Sequence, residues 1–146
     1  MPPLFGRLQS SLPDSSGFEI TIESLSPDDD LAVEVAAVAV TVRLFPFRIG
    51  RVSQQGSGHR VTARALMLDD PRPHNVSREH CVFELRDGQI WLRDCESTLG
   101  TVLNGEHLGT RHGQVDQIVP PGESELLLGG HHSPHRFRLC LSRQPG

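Results

Sequence analysis

Three short clusters in this 146-residue chain carry groups that donate hydrogen bonds, two of them joined to glycine or asparagine. They are Gly50-Arg51, then Ser77-Arg78-Glu79-His80, then Ser97-Thr98-Leu99-Gly100-Thr101 followed by Asn104-Gly105. Together they offer two guanidinium groups, several hydroxyls, and glycines whose backbone N–H groups a ligand can approach. That set suits a phosphate dianion. Arginine forks make bidentate charged bonds, hydroxyls and N–H groups take the remaining oxygens, and neither a carboxylate nor a metal is needed. Composition excludes several other chemistries. All 14 cationic side chains are Arg, so there is no Lys for a Schiff base, a Walker-type phosphate loop or an amine base. Ser77, His80 and Asp94 have the residue types of a hydrolase relay, but no G-x-S-x-G elbow accompanies them, and no enzyme activity is expected. His131, His132 and His135, with His112 upstream, carry imidazoles that suit zinc or nickel. No carboxylate or thiolate stands at ligand spacing in their turn, so neither metal nor cofactor is expected.

Short apolar segments must position these clusters. Phe18, Ile20 and Ile22 alternate with Glu19, Thr21 and Glu23, the two-residue period of a strand with one buried face. Residues 24–30 contain Pro27 and three consecutive Asp, a solvated loop. Residues 31–44 mix Ala, which suits a helix, with Val and Thr, which suit a strand; strand is favoured. Apolar segments then return at residues 45–49, 65–68, 81–85, 90–92, 102–103, 126–128 and 137–141, separated by turn residues. That spacing predicts an all-β fold, sandwich or barrel. Arg86-Asp87-Gly88 marks a tight hairpin, with Cys81, Phe83 and Leu85 expected on its inward face. Residues 1–16 read as a tail.

The 36% apolar and 22% charged fractions are those of a soluble globular domain. The longest uncharged apolar stretch, residues 35–42, is far short of the ~20 residues that span a bilayer, so no membrane partner is expected. Net charge is −4, a poor footprint for a nucleic-acid backbone, and no nucleic-acid partner is expected either. Charge is unevenly placed: residues 1–42 hold seven acids against Arg7, whereas residues 43–146 hold thirteen Arg against eleven acids. Cys81, Cys95 and Cys140 leave one thiol unpaired under any disulfide scheme, and the N-terminus lacks the pattern of a secretory signal. Both point to a reducing, cytoplasmic setting. Arginine without lysine fits a GC-rich, bacterial genome by association.

In order and content the clusters resemble the forkhead-associated (FHA) domains, β-sandwich modules that recognise phosphothreonine in partner proteins. Phe47-Arg48-Ile49-Gly50-Arg51 resembles the family's Gly-Arg turn, Ser77-x-x-His80 its Ser-x-x-His motif, and Asp94 through Gly105 its third segment, ending in Asn-Gly. The resemblance implies a sandwich of two twisted, mainly antiparallel sheets over residues 17–142. It implies phosphopeptide contacts from Arg51, Ser77, Arg78 and Thr98, with Gly50, His80, Leu99, Gly100, Asn104 and Gly105 supporting. The implied partner is a phosphothreonine-containing protein, the substrate of a Ser/Thr kinase. Two departures stand out. Leu99 occupies the place of the Asn that usually bonds the peptide backbone, and the interval from Arg51 to Ser77 is longer than usual, with Gly56-Ser57-Gly58 inside it. The alternative is a degenerate scaffold that binds an unphosphorylated partner or self-associates.

Overall fold

The alternation at the start of the domain becomes strand β1 (Phe18–Ser24) in the computed structural model, which describes residues 17–25 and 35–144. Ile20 and Ile22 are buried on its inner face. Among the described residues eleven further strands follow: β2 (Ala39–Val42), β3 (Phe47–Arg51), β4 (Arg60–Thr62), β5 (Ala65–Leu68), β6 (Cys81–Arg86), β7 (Gln89–Asp94), β8 (Thr101–Leu103), β9 (Glu106–Leu108), β10 (Asp116–Ile118), β11 (Gly122–Leu128) and β12 (Arg136–Arg143). A short 3-10 turn, Thr110–His112, is the helical element among them.

One sheet has the order β2-β1-β12-β11-β8-β9 and the other β10-β7-β6-β3-β5-β4. Phe47, Ile49, Leu66, Phe83 and Leu92 of the second sheet share one core with Ile20, Ile22, Leu126, Phe137 and Leu139 of the first. Burying each such side chain contributes about 1.5–3 kcal/mol, which makes this shared core the main force holding the two layers together. The result is the expected all-β sandwich.

One parallel pairing decides where the functional loops emerge. β3 runs parallel to β5, with Arg51 opposite Leu68, so the segments after both strands leave the same end of the sheet. β6 is antiparallel to β3, with Cys81 opposite Ile49, so the residues leading into β6 lie at that end too. Asp94, at the end of β7, pairs with Cys81 and brings the next loop there as well. Parallel neighbours need a crossover, and this one carries β4, which pairs with β5 as the edge strand.

The expected hairpin forms, with Asp87 (φ 49°) and Gly88 (φ 75°) both in the left-handed region that a two-residue turn requires. Cys81 and Phe83 point inward as expected, but Leu85 is 41% exposed. It stands one rung in from the turn-closing pair Arg86–Gln89, opposite Ile90, and the facing layer covers Ile90 but not Leu85. Of the strand expected over residues 31–44, only Ala39–Val42 is found; residues 35–38 are irregular, and 31–34 lie outside the described residues. Pairing stops where the Val38 N–H donates to Ser24 Oγ (2.7 Å) instead of continuing the ladder. The expected tail over residues 1–16 and the loop positions 26–30 also lie outside the described residues. β4, β9 and β10 were not expected; they are three residues each and mostly polar.

On the outer face of the second sheet, Glu84 and Asp116 hold two guanidinium groups. Arg93 Nη2 reaches Glu84 Oε2 at 3.0 Å, and Arg86 Nη2 reaches Glu84 Oε1 at 2.7 Å and Asp116 Oδ2 at 3.1 Å. Arg86 also lies 4.7 Å above the Trp91 ring. Hydrogen bonds from Arg93 and Arg86 keep the Glu84 carboxyl below the usual carboxylate range.

Candidate functional site

Arg51 is aimed from the end of β3 by backbone contacts on both sides. Its N–H donates to the Arg78 carbonyl (3.3 Å), and its Nη1 donates to the Val76 carbonyl (2.8 Å), which uses one corner of the guanidinium and leaves the other donors outward. Gly50 makes this approach feasible. A Cβ there would collide with the Arg78 carbonyl, a backbone group that cannot swing aside.

Ser77 and Thr98 come from different loops and meet. Thr98 N–H donates to Ser77 Oγ (2.9 Å), and Ser77 Oγ lies 3.4 Å from Thr98 Oγ1. His80, fully buried beneath them, fixes both loops. Its Nδ1 accepts from Ser77 N–H (3.0 Å), so the ring's proton sits on Nε2, which donates to the Gly100 carbonyl (2.9 Å). Burial keeps its pKa below the ordinary value of 6.5, outweighing the opposite pull of the Gly100 carbonyl and the Asp94 charge. Since its Nδ1 faces the Ser77 backbone N–H, His80 is not placed as a base for the Ser77 hydroxyl.

Asp94, itself buried, ties the loop carrying Thr98. It accepts from Ser97 N–H (3.0 Å), Ser97 Oγ (2.6 Å) and Thr101 Oγ1 (2.6 Å), and Ser97 Oγ in turn accepts from Gly100 N–H (2.9 Å). This is the local side-chain-to-backbone bonding that Asp and Ser favour in turns. Asn104 and Gly105 form the β8–β9 turn, both with positive φ, and Asn104 clamps β11 by accepting from Glu125 N–H (2.8 Å) and donating to Ser124 Oγ (3.0 Å).

Beside Arg51 opens a groove of about 480 Å³. Arg51, Arg60, Arg78, Gln54, Ser57 and Met67 are among its lining residues. Among the described residues no carboxylate lies within salt-bridge distance of Arg51, Arg60 or Arg78. The loop after Arg51 is stitched in place. Asp69 accepts from Gly56 N–H (2.9 Å) and Gly58 N–H (2.7 Å), bonds that lower its pKa, while Asp69 N–H donates to His59 Nδ1 (2.9 Å).

Beneath the rim, a buried Asp70 carboxylate accepts from Asn75 N–H (2.7 Å), Val76 N–H (2.8 Å) and His135 Nε2 (2.8 Å). Burial alone would raise its pKa, but those three donors together lower it. The turn that presents the Val76 carbonyl to Arg51 therefore rests on a buried Asp–His pair.

Of the residues expected from the sequence, Arg51, Ser77, Arg78 and Thr98 come to one rim and Gly50, His80 and Gly100 lie in or beneath it, whereas Asn104 and Gly105 stand at the other end of the β8–β9 hairpin, against β11. Leu99 does not pack beneath the loop; its side chain is 48% exposed at the tip. The histidines go separate ways: His131 stacks with His132 (4.1 Å), His112 with His107 (5.1 Å), and His135 is buried against Asp70. Among the described residues no three metal-competent side chains converge. Burial pushes the Cys81 thiol well above its usual pKa, which keeps it unreactive at neutral pH. Sequence reasoning missed Arg60, which the register of three strands brings to the groove, and Asp69 and Asp70, which bond Gly56 and Gly58, and His135, respectively, across intervals of 11 to 65 residues.

A β-sandwich that gathers basic and hydroxyl-bearing loops at one end of a sheet has the architecture of an interaction module, with its variable loops on a rigid scaffold. The FHA domain family matches residues 47–119, half of the chain, and the protein belongs to that family. Solved structures agree on the fold. An FHA domain of an Arabidopsis thaliana hypothetical protein is 16% identical, with 90% of each chain covered and a TM-score of 0.51. The Mycobacterium tuberculosis Rv1747 FHA-1 is 12% identical, with 87% of this chain and 99% of that one covered and a TM-score of 0.54. Mycobacterium tuberculosis EmbR, in complex with a low-affinity phosphopeptide, is 16% identical over 86% of this chain and 26% of its own, with a TM-score of 0.51. No curated protein sequence matches significantly.

Proposed function

We propose that this FHA domain is a phosphothreonine-dependent recruitment module, with Arg51, Ser77, Arg78 and Thr98 taking the phosphate. The observation that carries the reading is the rim itself: two guanidinium groups without carboxylate partners, beside a hydroxyl pair held by a buried histidine. EmbR, of which 26% matches this fold, forms a complex with a low-affinity phosphopeptide, which supports the reading.

The switch is electrostatic. A phosphothreonine brings roughly −1.5 to −2 charges and three strongly accepting terminal oxygens, where threonine brings no charge and a single hydroxyl. Arg51 is oriented by its bond to Val76 and meets the anion as a fixed fork. Ser77 Oγ holds the Thr98 hydroxyl only at 3.4 Å, so its proton turns readily to a phosphate oxygen while it still accepts the Thr98 N–H. Arg78, exposed at the rim, adds a second cation. Glutamate in place of phosphothreonine is a poor substitute, with one charge and a planar group.

Degenerate phosphothreonine, phosphoserine and unphosphorylated peptide libraries, captured by wild type and Arg51→Ala, test this directly. Phosphothreonine-selective capture lost in Arg51→Ala is the expected result. Equal capture of unphosphorylated peptides, or capture unchanged in the variant, would mean the partner is recognised without phosphate.

A further inference from the structure

The phosphate rim accounts for Arg51 and Arg78 but leaves Arg60 unexplained. Arg60 sits on β4 opposite Met67 of β5, and Met67 sits opposite Gly50 of β3. A single row across three strands therefore leads from the backbone beside Arg51 to Arg60. Two interstrand steps of ~4.8 Å place Arg60 about 10 Å from the Gly50 backbone, roughly three residues of extended peptide. Met67 lies between as an apolar floor, and all four residues Arg51, Arg60, Met67 and Arg78 line the same groove of about 480 Å³.

Two further features make this a prepared surface. The other wall of the groove is Ser53, Gln54 and Ser57, hydrogen-bonding side chains on a loop that Asp69 and His59 hold by three bonds, so it is ordered before a ligand arrives. Arg60 itself has no ion pair among the described residues, although acids neutralise Arg43, Arg86, Arg93, Arg136 and Arg138 elsewhere on the surface. A third guanidinium kept unneutralised beside two others repels them, and an anionic ligand group relieves that repulsion.

We infer that Arg60 forms a second anion subsite, selecting peptides that carry a further acidic or phosphorylated residue within about three positions of the phosphothreonine. This rests on the phosphothreonine reading and narrows it to a ligand class, a multiply anionic peptide. The chemistry is a carboxylate or a second phosphate, to either of which an exposed arginine fork donates bidentately.

The test walks a Glu, and separately a phosphoserine, through positions −4 to +4 of an otherwise neutral phosphothreonine peptide, with titrations of wild type and Arg60→Gln at two salt concentrations. All three residues of β4 are exposed, so the substitution leaves the core untouched, and a thermal melt of the variant verifies this. At one position wild type should gain about fivefold or more in affinity, and Arg60→Gln should erase the gain while binding the neutral phosphothreonine peptide as wild type does. A gain from phosphoserine alone assigns a second phosphate, and a gain from Glu as well assigns any acid. Phosphothreonine binding with no gain at any position, or a gain that survives in Arg60→Gln, overturns the subsite and leaves the reader function standing. Failure of every phosphothreonine peptide to bind folded protein overturns both.

Discussion

Two groups of arginines on the same sheet behave oppositely. On the outer face of β6 and β7, Arg86 and Arg93 are each satisfied by Glu84 or Asp116, and Arg86 also covers Trp91. At the loop end, Arg51, Arg60 and Arg78 line one groove without a carboxylate partner among the described residues. Both groups are solvent-accessible and chemically identical. Half-exposed ion pairs contribute about 0–1 kcal/mol, so the first group is surface finish. The second leaves charge concentrated where hydroxyls and backbone glycines converge, an arrangement that folding does not require and an anion does. Among the described residues Arg48, Arg64, Arg72 and Arg111 also lack ion pairs but do not line the groove, so convergence rather than vacancy marks the site.

The largest effect should come from Arg51→Ala, which removes charge-assisted bonds worth about 2–3 kcal/mol, or roughly 30- to 150-fold in phosphopeptide affinity by calorimetry. Arg51→Lys should recover only part of this, since an ammonium keeps the charge without the fork. Next, His80→Ala removes two buried hydrogen bonds and leaves Ser77 N–H without its partner, while Gly100 C=O keeps only the bond from Gly129 N–H; urea unfolding should show a loss of about 2–3 kcal/mol.

The pH dependence separates the two buried supports. His80 has its folded pKa depressed, so the unfolded chain binds the extra proton. Stability is therefore full above about pH 6.5 and declines as pH falls through that value, and His80→Gln should flatten the decline. Asp70 also has a depressed pKa, but as a carboxylate its contribution persists until pH falls below its ordinary value of 3.8. Asp70→Asn should change only that lower limb of the profile. Smallest of all, Arg93→Ala should cost under about 1 kcal/mol of stability and leave peptide affinity unchanged.

The divide between what the sequence disclosed and what it concealed follows the range of the interactions. β1 was legible because Phe18, Ile20 and Ile22 alternate locally, and the 86–89 turn because Asp87-Gly88 carries its own backbone preference. Gly50-Arg51, Ser77-x-x-His80 and Thr98 were legible as short-range clusters in turn positions. Arg60 was not, because its place beside Arg51 depends on the register of three strands. Nor was the Asp70–His135 pair, 65 residues apart in sequence; His135 looked like one of a run of turn histidines. Gly56-Ser57-Gly58 looked loose for the same reason: Asp69, which stitches it, lies more than ten residues on. Leu85 failed in the opposite direction, since alternation predicts which way a side chain points but not where the facing layer ends.

The central claim is that Arg51 and Arg78, unneutralised and gathered at the rim, serve a phosphate and that the ion-paired Arg93 does not. The most direct measurement is calorimetric titration of one captured phosphothreonine peptide, and its unphosphorylated form, into wild type, Arg51→Ala and Arg93→Ala. The account predicts binding of the phosphorylated form alone, abolished or weakened at least 30-fold by Arg51→Ala and unaltered by Arg93→Ala. Equal weakening by both substitutions, or equal binding of the two peptide forms, would contradict it.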